Sequence, residues 1–218
     1  MSKLASILTT ADLPLTELHA LRLDGELFAI DDAFSPIDQP ESVAQRAAAL
    51  EAQCSDRLIA EQRTAAWVWG ACDRLPVRLE LCAHIGARAR ISDTGRIVLR
   101  EVVIDSAEVV TIGQTRVTTP LRTAIDLLRF QPSLDAALVT RLLRIGGLTT
   151  DDCQRYLEAR HNLPHKKIAL ARVKLLASDP VRVVDGVDAT NRAEDSIEVG
   201  RITHLEDVAT EREALSRG

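Results

Sequence analysis

Aromatic side chains are scarce: three Phe, two Trp and one Tyr make up 3% of the 218 residues. Without them a core has to be built from Leu, Ile, Val and Ala, which excludes an aromatic-rich sandwich and favours helices with short strands. Long apolar runs are missing as well, and nothing approaches the roughly 18–20 residues that cross a bilayer. The opening stretch, MSKLASILTTADLPL, holds one Lys and a short apolar run broken by Thr and Asp, not the longer segment of a secretory signal. The expectation is a cytoplasmic protein with no membrane partner. Cys54, Cys72, Cys82 and Cys153 are scattered with no CxxC pair, so they read as buried, reduced thiols.

Signatures of enzyme chemistry are also lacking. No GxGxxG, phosphate loop, HExxH or GxSxG occurs, and Gly146-Gly147 reads as a helix end. His161 and His165 have the i, i+4 spacing of metal ligands, but Pro164 breaks the helix that would aim both rings together, and only Glu158 is near as a third ligand. Asp185, Asp188, Glu194, Asp195 and Glu198 gather as a nuclease's carboxylates would. Gly200 stands where such a nuclease would place a Lys, so a solvated acidic face is the plainer reading. No catalytic residue, metal or cofactor is assigned, and an enzyme of unrecognised type is the third-ranked reading.

What the sequence does have is an uneven charge. The net value is −5, yet residues 111–177 hold eleven basic side chains against five acidic ones. Residues 1–50 hold three against eight, and residues 178–218 five against ten. A basic lobe between acidic flanks marks where a polyanion or an acidic partner docks. Its candidates are Arg155, Arg160, Lys166, Lys167, Arg172 and Lys174.

Along the chain, a short helix from Ser2 to Leu8 and a second, LTELHALRLDG, precede two short strands, ELFAI and AFSPI, that turn at Asp31-Asp32. Helix, helix and β-ribbon is the order of a winged-helix module. Its candidate DNA contacts are His19 and Arg22, flanked by Glu17, Asp24 and Glu26, and the acidic Asp31-Asp32 wing tip leaves few phosphate-neutralising charges. ESVAQRAAALEAQ reads as a helix leading out, and QRTAAWVWGAC as a buried helix ending at Gly70. LELCAHIG alternates Leu79, Leu81, Ala83 and Ile85 inward, IVLREVVI is a further strand, and VVTI with RVTT forms a hairpin. Thr119 caps and Pro120 opens the helix TTPLRTAIDLLRF, with Leu121, Ile125 and Leu128 inward and Arg122, Asp126 and Arg129 pairing on its outer face. Three more helices follow: one from a Ser133 cap to Gly146, one from the Thr149-Thr150 pair, and HKKIALARVKLLA after Pro164. RAEDSIEVGRI reads as a further short helix.

Two passages carry a resemblance. QRTAAWVWG and VVTIGQTRVTTPLRTAIDLLR resemble the AbiEi-type antitoxins of actinobacteria, which carry an RTAAWLHG-like helix and an RVTTPLRTALDLAR-like passage. The likeness runs with gaps from about residue 56 to 177, with RAEDSIE as the counterpart of a terminal RAES-like segment. Gln62 stands where the family often has His, and Gly113-Gln114 replaces a Gly-Gly turn. The resemblance implies an antitoxin that neutralises a nucleotidyltransferase-like toxin and represses its own operon by binding operator DNA. A stand-alone DNA-binding transcriptional regulator is the alternative. The expected fold is α+β: a winged-helix-like module over 1–55, then a small antiparallel sheet and a helical C-terminal half forming an antitoxin domain over 56–177. An acidic segment, 178–218, follows.

Overall fold

In the computed structural model, residues 7–39, 41–51, 57–87 and 95–178 are described, and all of them fall within one unit spanning residues 1–183. Cys54, RAEDSIEVGRI and the acidic group from Asp185 to Glu198 lie outside the described residues.

The chain begins with helix α1 (Leu15–Leu23), followed by strands β1 (Leu27–Ile30) and β2 (Ala33–Pro36) and helix α2 (Val43–Leu50). β1 and β2 pair antiparallel through a tight turn in which Asp31 takes a φ of 56°, a conformation that Asp tolerates better than most residues. The helix expected over Ser2–Leu8 falls mostly outside the described residues, and Leu8 instead bridges to Phe34 backbone to backbone. A small cluster of Leu8, Leu18, Leu27 and Phe34 fills the angle between α1 and the hairpin. The start of α2 is fixed by a reciprocal cap: the Ser42 side chain accepts from the Gln45 N–H, and the Gln45 side chain accepts from the Ser42 N–H.

β3 (Ile59–Ala60), α3 (Gln62–Val68), β4 (Leu79–His84), β5 (Ile97–Val102), β6 (Val109–Ile112) and β7 (Thr115–Thr118) follow. The five strands form one sheet in the order β5-β4-β3-β7-β6. Its directions are mixed rather than uniformly antiparallel. β3–β4 and β6–β7 run antiparallel, while β3–β7 and β4–β5 run parallel. The hairpin Val109–Thr118 therefore lies beside β3, which brings the two resembling passages together. Leu79, Leu81 and Ala83 face one apolar cluster, as the alternation predicts, and that cluster also holds Ile30, Ala33, Ala47 and Leu50 from the N-terminal elements. Ile85 is 55% exposed, because β4 ends at His84 and the chain turns there. Cys82, on the other side of β4, is a buried free thiol as expected, packed with Ile59 and Ile104.

The C-terminal half is helical: α4 (Pro120–Phe130), α5 (Ala136–Ile145), α6 (Thr150–Glu158) and α7 (Lys166–Ser178). The Thr119 hydroxyl accepts from the Arg122 N–H with Pro120 in the first turn, as expected. Asp135, not Ser133, caps α5, accepting from the Leu138 N–H at 3.0 Å. A carboxylate nearer the helix start displaces the serine from that role. The left-handed residue after α5 is Gly147 (φ 62°). Gly146 keeps a helical backbone and is small for a different reason: a Cβ there would lie 2.9 Å from the Pro120 Cβ. α3 to α7 share one core in which Ile125, Leu128, Leu142 and Leu157 are fully buried.

Candidate functional site

Burial of charge singles out one region. Arg122, Asp126 and Arg129, spaced to share one helix face, sit on the inner side of α4 and not on the outer side that the pattern predicts. Charges survive there only because each is paired and hydrogen-bonded. Arg122 Nε donates to Asp126 Oδ2 at 2.9 Å, and Arg129 Nη1 donates to Asp126 Oδ1 at 2.9 Å. Arg100, from β5, approaches Asp126 at 3.6 Å and clasps Glu61 with two bonds of 2.6 Å. Glu61 is the residue between β3 and α3 and is fully buried. Arg122 reaches on to Glu108 at 2.5 Å, and Glu108 also accepts from the Tyr156 hydroxyl and from Arg160 at 2.8 Å. Glu108 lies in a 3₁₀ turn, Ser106–Glu108, whose Asp105 cap bonds reciprocally with it.

Local electrostatics follow from these contacts. Burial alone would raise the Glu108 carboxyl, but the Tyr156 hydroxyl and the Arg122 guanidinium outweigh it and hold the group below its ordinary value. Burial pushes the Asp126 carboxyl up, opposed by Arg122, whose donors with those of Arg129 occupy both carboxylate oxygens. Burial would lower Arg100, yet Glu61 holds it above the usual arginine range. Arg129 is the exception. Burial lowers it, and Asp126 only partly offsets that. Burial and the bond to Glu108 raise the Tyr156 phenol, so it remains a neutral donor.

This network floors a pocket of about 730 Å³ whose lining includes Arg100, Arg122, Arg129, Arg160, Phe130 and Tyr156. The Arg100 and Arg129 guanidinium carbons lie 3.9 and 4.4 Å from the Phe130 ring centre. Gln62 stands beside the network at a φ of 47°. Its side chain bonds to Glu61 at 3.2 Å and accepts from Gln131 at 2.9 Å. The strained backbone starts α3 directly after the buried Glu61.

The residues expected to meet a partner divide in two. Arg160, Lys166 and Arg172 have internal work. Lys166 Nζ donates to the Arg160 carbonyl at 2.7 Å, and Arg172 donates to the carbonyls of Leu128, Gln131 and Pro132, sealing the end of α4. Arg155 is exposed and pairs with Asp152. Lys167 and Lys174 are exposed on α7 with no acceptor among the described residues. In the N-terminal elements, His19 is exposed with its ring edge on Phe34, and Arg22 is exposed at the end of α1. The hairpin tip is not a free acidic wing: Asp31 and Asp32 both bind Arg96, just before β5. His165 packs edge-on against Phe130 at φ 58°, and no group of three metal-ligating side chains occurs among the described residues.

The sequence reading missed Glu61, Arg100, Glu108 and Tyr156. For Glu61 and Glu108 the only sequence signal was position, an acid at the end of an apolar strand or turn, and Arg100 and Tyr156, inside β5 and α6, carried none. The helical spacing of Arg122, Asp126 and Arg129 was visible, but spacing does not tell an inner face from an outer one.

No family model matches the chain, and no curated protein does. The solved structure of the RV2827C protein from Mycobacterium tuberculosis is similar over 80% of this chain and 72% of that one, at 16% identity and a TM-score of 0.41, a likeness that carries no argument. No helix among the described residues is long and apolar enough to cross a membrane.

Proposed function

We propose that the chain is an antitoxin of the AbiEi type that neutralises a nucleotidyltransferase-like toxin, with repression of its own operon as a second role. The observation that carries this reading is the union of the two resembling passages. QRTAAWVWG forms α3, and VVTIGQTRVTTPLRTAIDLLR forms β6, β7 and most of α4. The Trp69 indole N–H joins them by donating to the Thr118 carbonyl at 2.8 Å. Residues shared with the antitoxins are thus spent on one buried frame, and a shared frame presents comparable surfaces.

The surface chemistry favours a protein partner. On α7, Lys167 and Lys174 are seven residues apart, and beside them Ile168 and Leu175 are 47% and 60% exposed. A face that mixes free cations with apolar side chains fits an acidic protein surface better than a sugar–phosphate backbone. The docked Asp31-Asp32 tip likewise gives little to a DNA groove. No catalytic role is assigned to Glu108 in the pocket lining or to Asp126 behind it, because both accept from arginines instead of facing a substrate unpaired.

The test is genetic. A nucleotidyltransferase-like gene adjacent to this one is induced alone and together with the full chain. Arrest by the first and growth with the second support the reading, and arrest in both overturns it.

A further inference from the structure

The arginine pocket has more hydrogen-bond donors than its own acids use. Each of four guanidinium groups lining it keeps one nitrogen with no acceptor among the described residues: Nη1 of Arg100, Nη2 of Arg122, Nη2 of Arg129 and Nε of Arg160. None of these four side chains is classed as exposed, and no buried side-chain nitrogen among the described residues lacks a partner, so the four nitrogens reach solvent. The four side chains line one space together. Planar guanidinium donors converging on one cavity match the geometry of a tetrahedral or planar oxyanion.

The cations are balanced, not in excess: the four arginines share the lining with Glu101, Asp105 and Glu108 and pair behind it with Glu61 and Asp126, so what the site offers an anion is directed donors, with Arg129 the cation least compensated. The cavity, about 730 Å³, is far larger than one inserted side chain would fill and matches a small-molecule site. Phe130 already carries Arg100 and Arg129 against its ring and His165 at its edge, and recognition rests on the anionic group. Glu101 and Asp105 are exposed carboxylates of the lining, which disfavours highly charged ligands and favours a single phosphate.

We infer that this pocket, lined by Arg100, Arg122, Arg129 and Arg160, binds the phosphate group of a small monophosphate ester. The inference stands apart from the antitoxin reading, since it uses no α7 residue and needs no toxin.

The experiment is titration calorimetry on the full chain with ribose 5-phosphate, adenosine monophosphate and inorganic phosphate. Saturable one-to-one binding of at least one ester, tighter than inorganic phosphate, is expected. Arg160→Gln, at a partly exposed position, should weaken it about tenfold by removing a charged donor. Glu101→Gln should tighten it a few-fold by removing a like charge. Lys174→Gln, on α7 away from the pocket lining, should leave it unchanged. No saturable binding by either ester overturns the inference. So does equal binding of inorganic phosphate, which would make this a free-phosphate site, and so does a Lys174→Gln loss equal to that of Arg160→Gln, which would mean diffuse attraction. Should Arg160→Gln fail to fold, the tightening by Glu101→Gln decides alone, and its absence counts against the site.

Discussion

Arg122 and Asp126 stand one turn apart on α4, joined by a 2.9 Å bond between Nε and Oδ2 with both side chains buried. On a solvated helix such a pair contributes a few tenths of a kcal/mol. Here it is the hinge of a network that ties β5, the 3₁₀ turn and, through Tyr156, α6 to α4. Removing Asp126 leaves Arg122 and Arg129 buried without their shared counter-charge. Asp126→Asn should therefore cost roughly 3–5 kcal/mol in urea unfolding, the range for breaking one side of a buried pair. A loss below about 1 kcal/mol would mean that water already screens the cluster.

The same network sets the acid limb of stability. The Glu108 carboxyl is held below its ordinary value of 4.5 in the folded chain. Its contribution is fully present above the unfolded value and is lost as pH falls through the folded one. Unfolding free energy should decline below about pH 4.5, and Glu108→Gln should flatten that decline. Urea midpoints measured between neutral pH and pH 3 check both, and an unchanged slope in the variant would contradict the assignment.

How α4 packs gives a graded comparison. Ile125 is fully buried and Leu121 only partly so. Ile125→Ala should cost about 2–5 kcal/mol and Leu121→Ala distinctly less, while Thr119→Ala should cost about 1 kcal/mol through the lost cap. Equal losses for Ile125 and Leu121 in thermal unfolding would mean that the helix is rotated from the orientation described.

Much of this frame was legible in the sequence. Thr119-Pro120 marked one helix start and the Thr149-Thr150 pair another, where Thr149 caps and Asp152 completes a capping box, because caps are local hydrogen-bond problems with local solutions. The Val109–Thr118 hairpin was legible because alternation and a Gly113 turn coincide. What escaped were facts of tertiary arrangement. The parallel pairing of β3 with β7 joins residues more than fifty positions apart, and no local pattern announces it. The inward face of Arg122, Asp126 and Arg129 depends on Glu61, Arg100 and Glu108, none of which is a helical neighbour. Likewise a count of basic residues in α6 and α7 could not tell Arg172, spent on the end of α4, from the free Lys174.

If operator DNA meets α7, only its free lysines contribute. Lys167→Gln with Lys174→Gln should lower the slope of log affinity against log salt by about two, whereas adding Lys166→Gln should change it little further. Filter-binding over a range of salt measures this, and a slope unaltered by the double variant would place DNA elsewhere on the chain.

The central claim is neutralisation of a toxin through the α7 face, and plating efficiency tests it most directly. Cells inducing the adjacent nucleotidyltransferase-like gene are given the full chain, or the full chain with Lys167→Glu and Lys174→Glu. The account predicts growth restored by the first and lost at least tenfold with the second, the two proteins melting at the same temperature. Equal rescue by both would remove the α7 face from the account, and no rescue by the unaltered chain would contradict the antitoxin function itself.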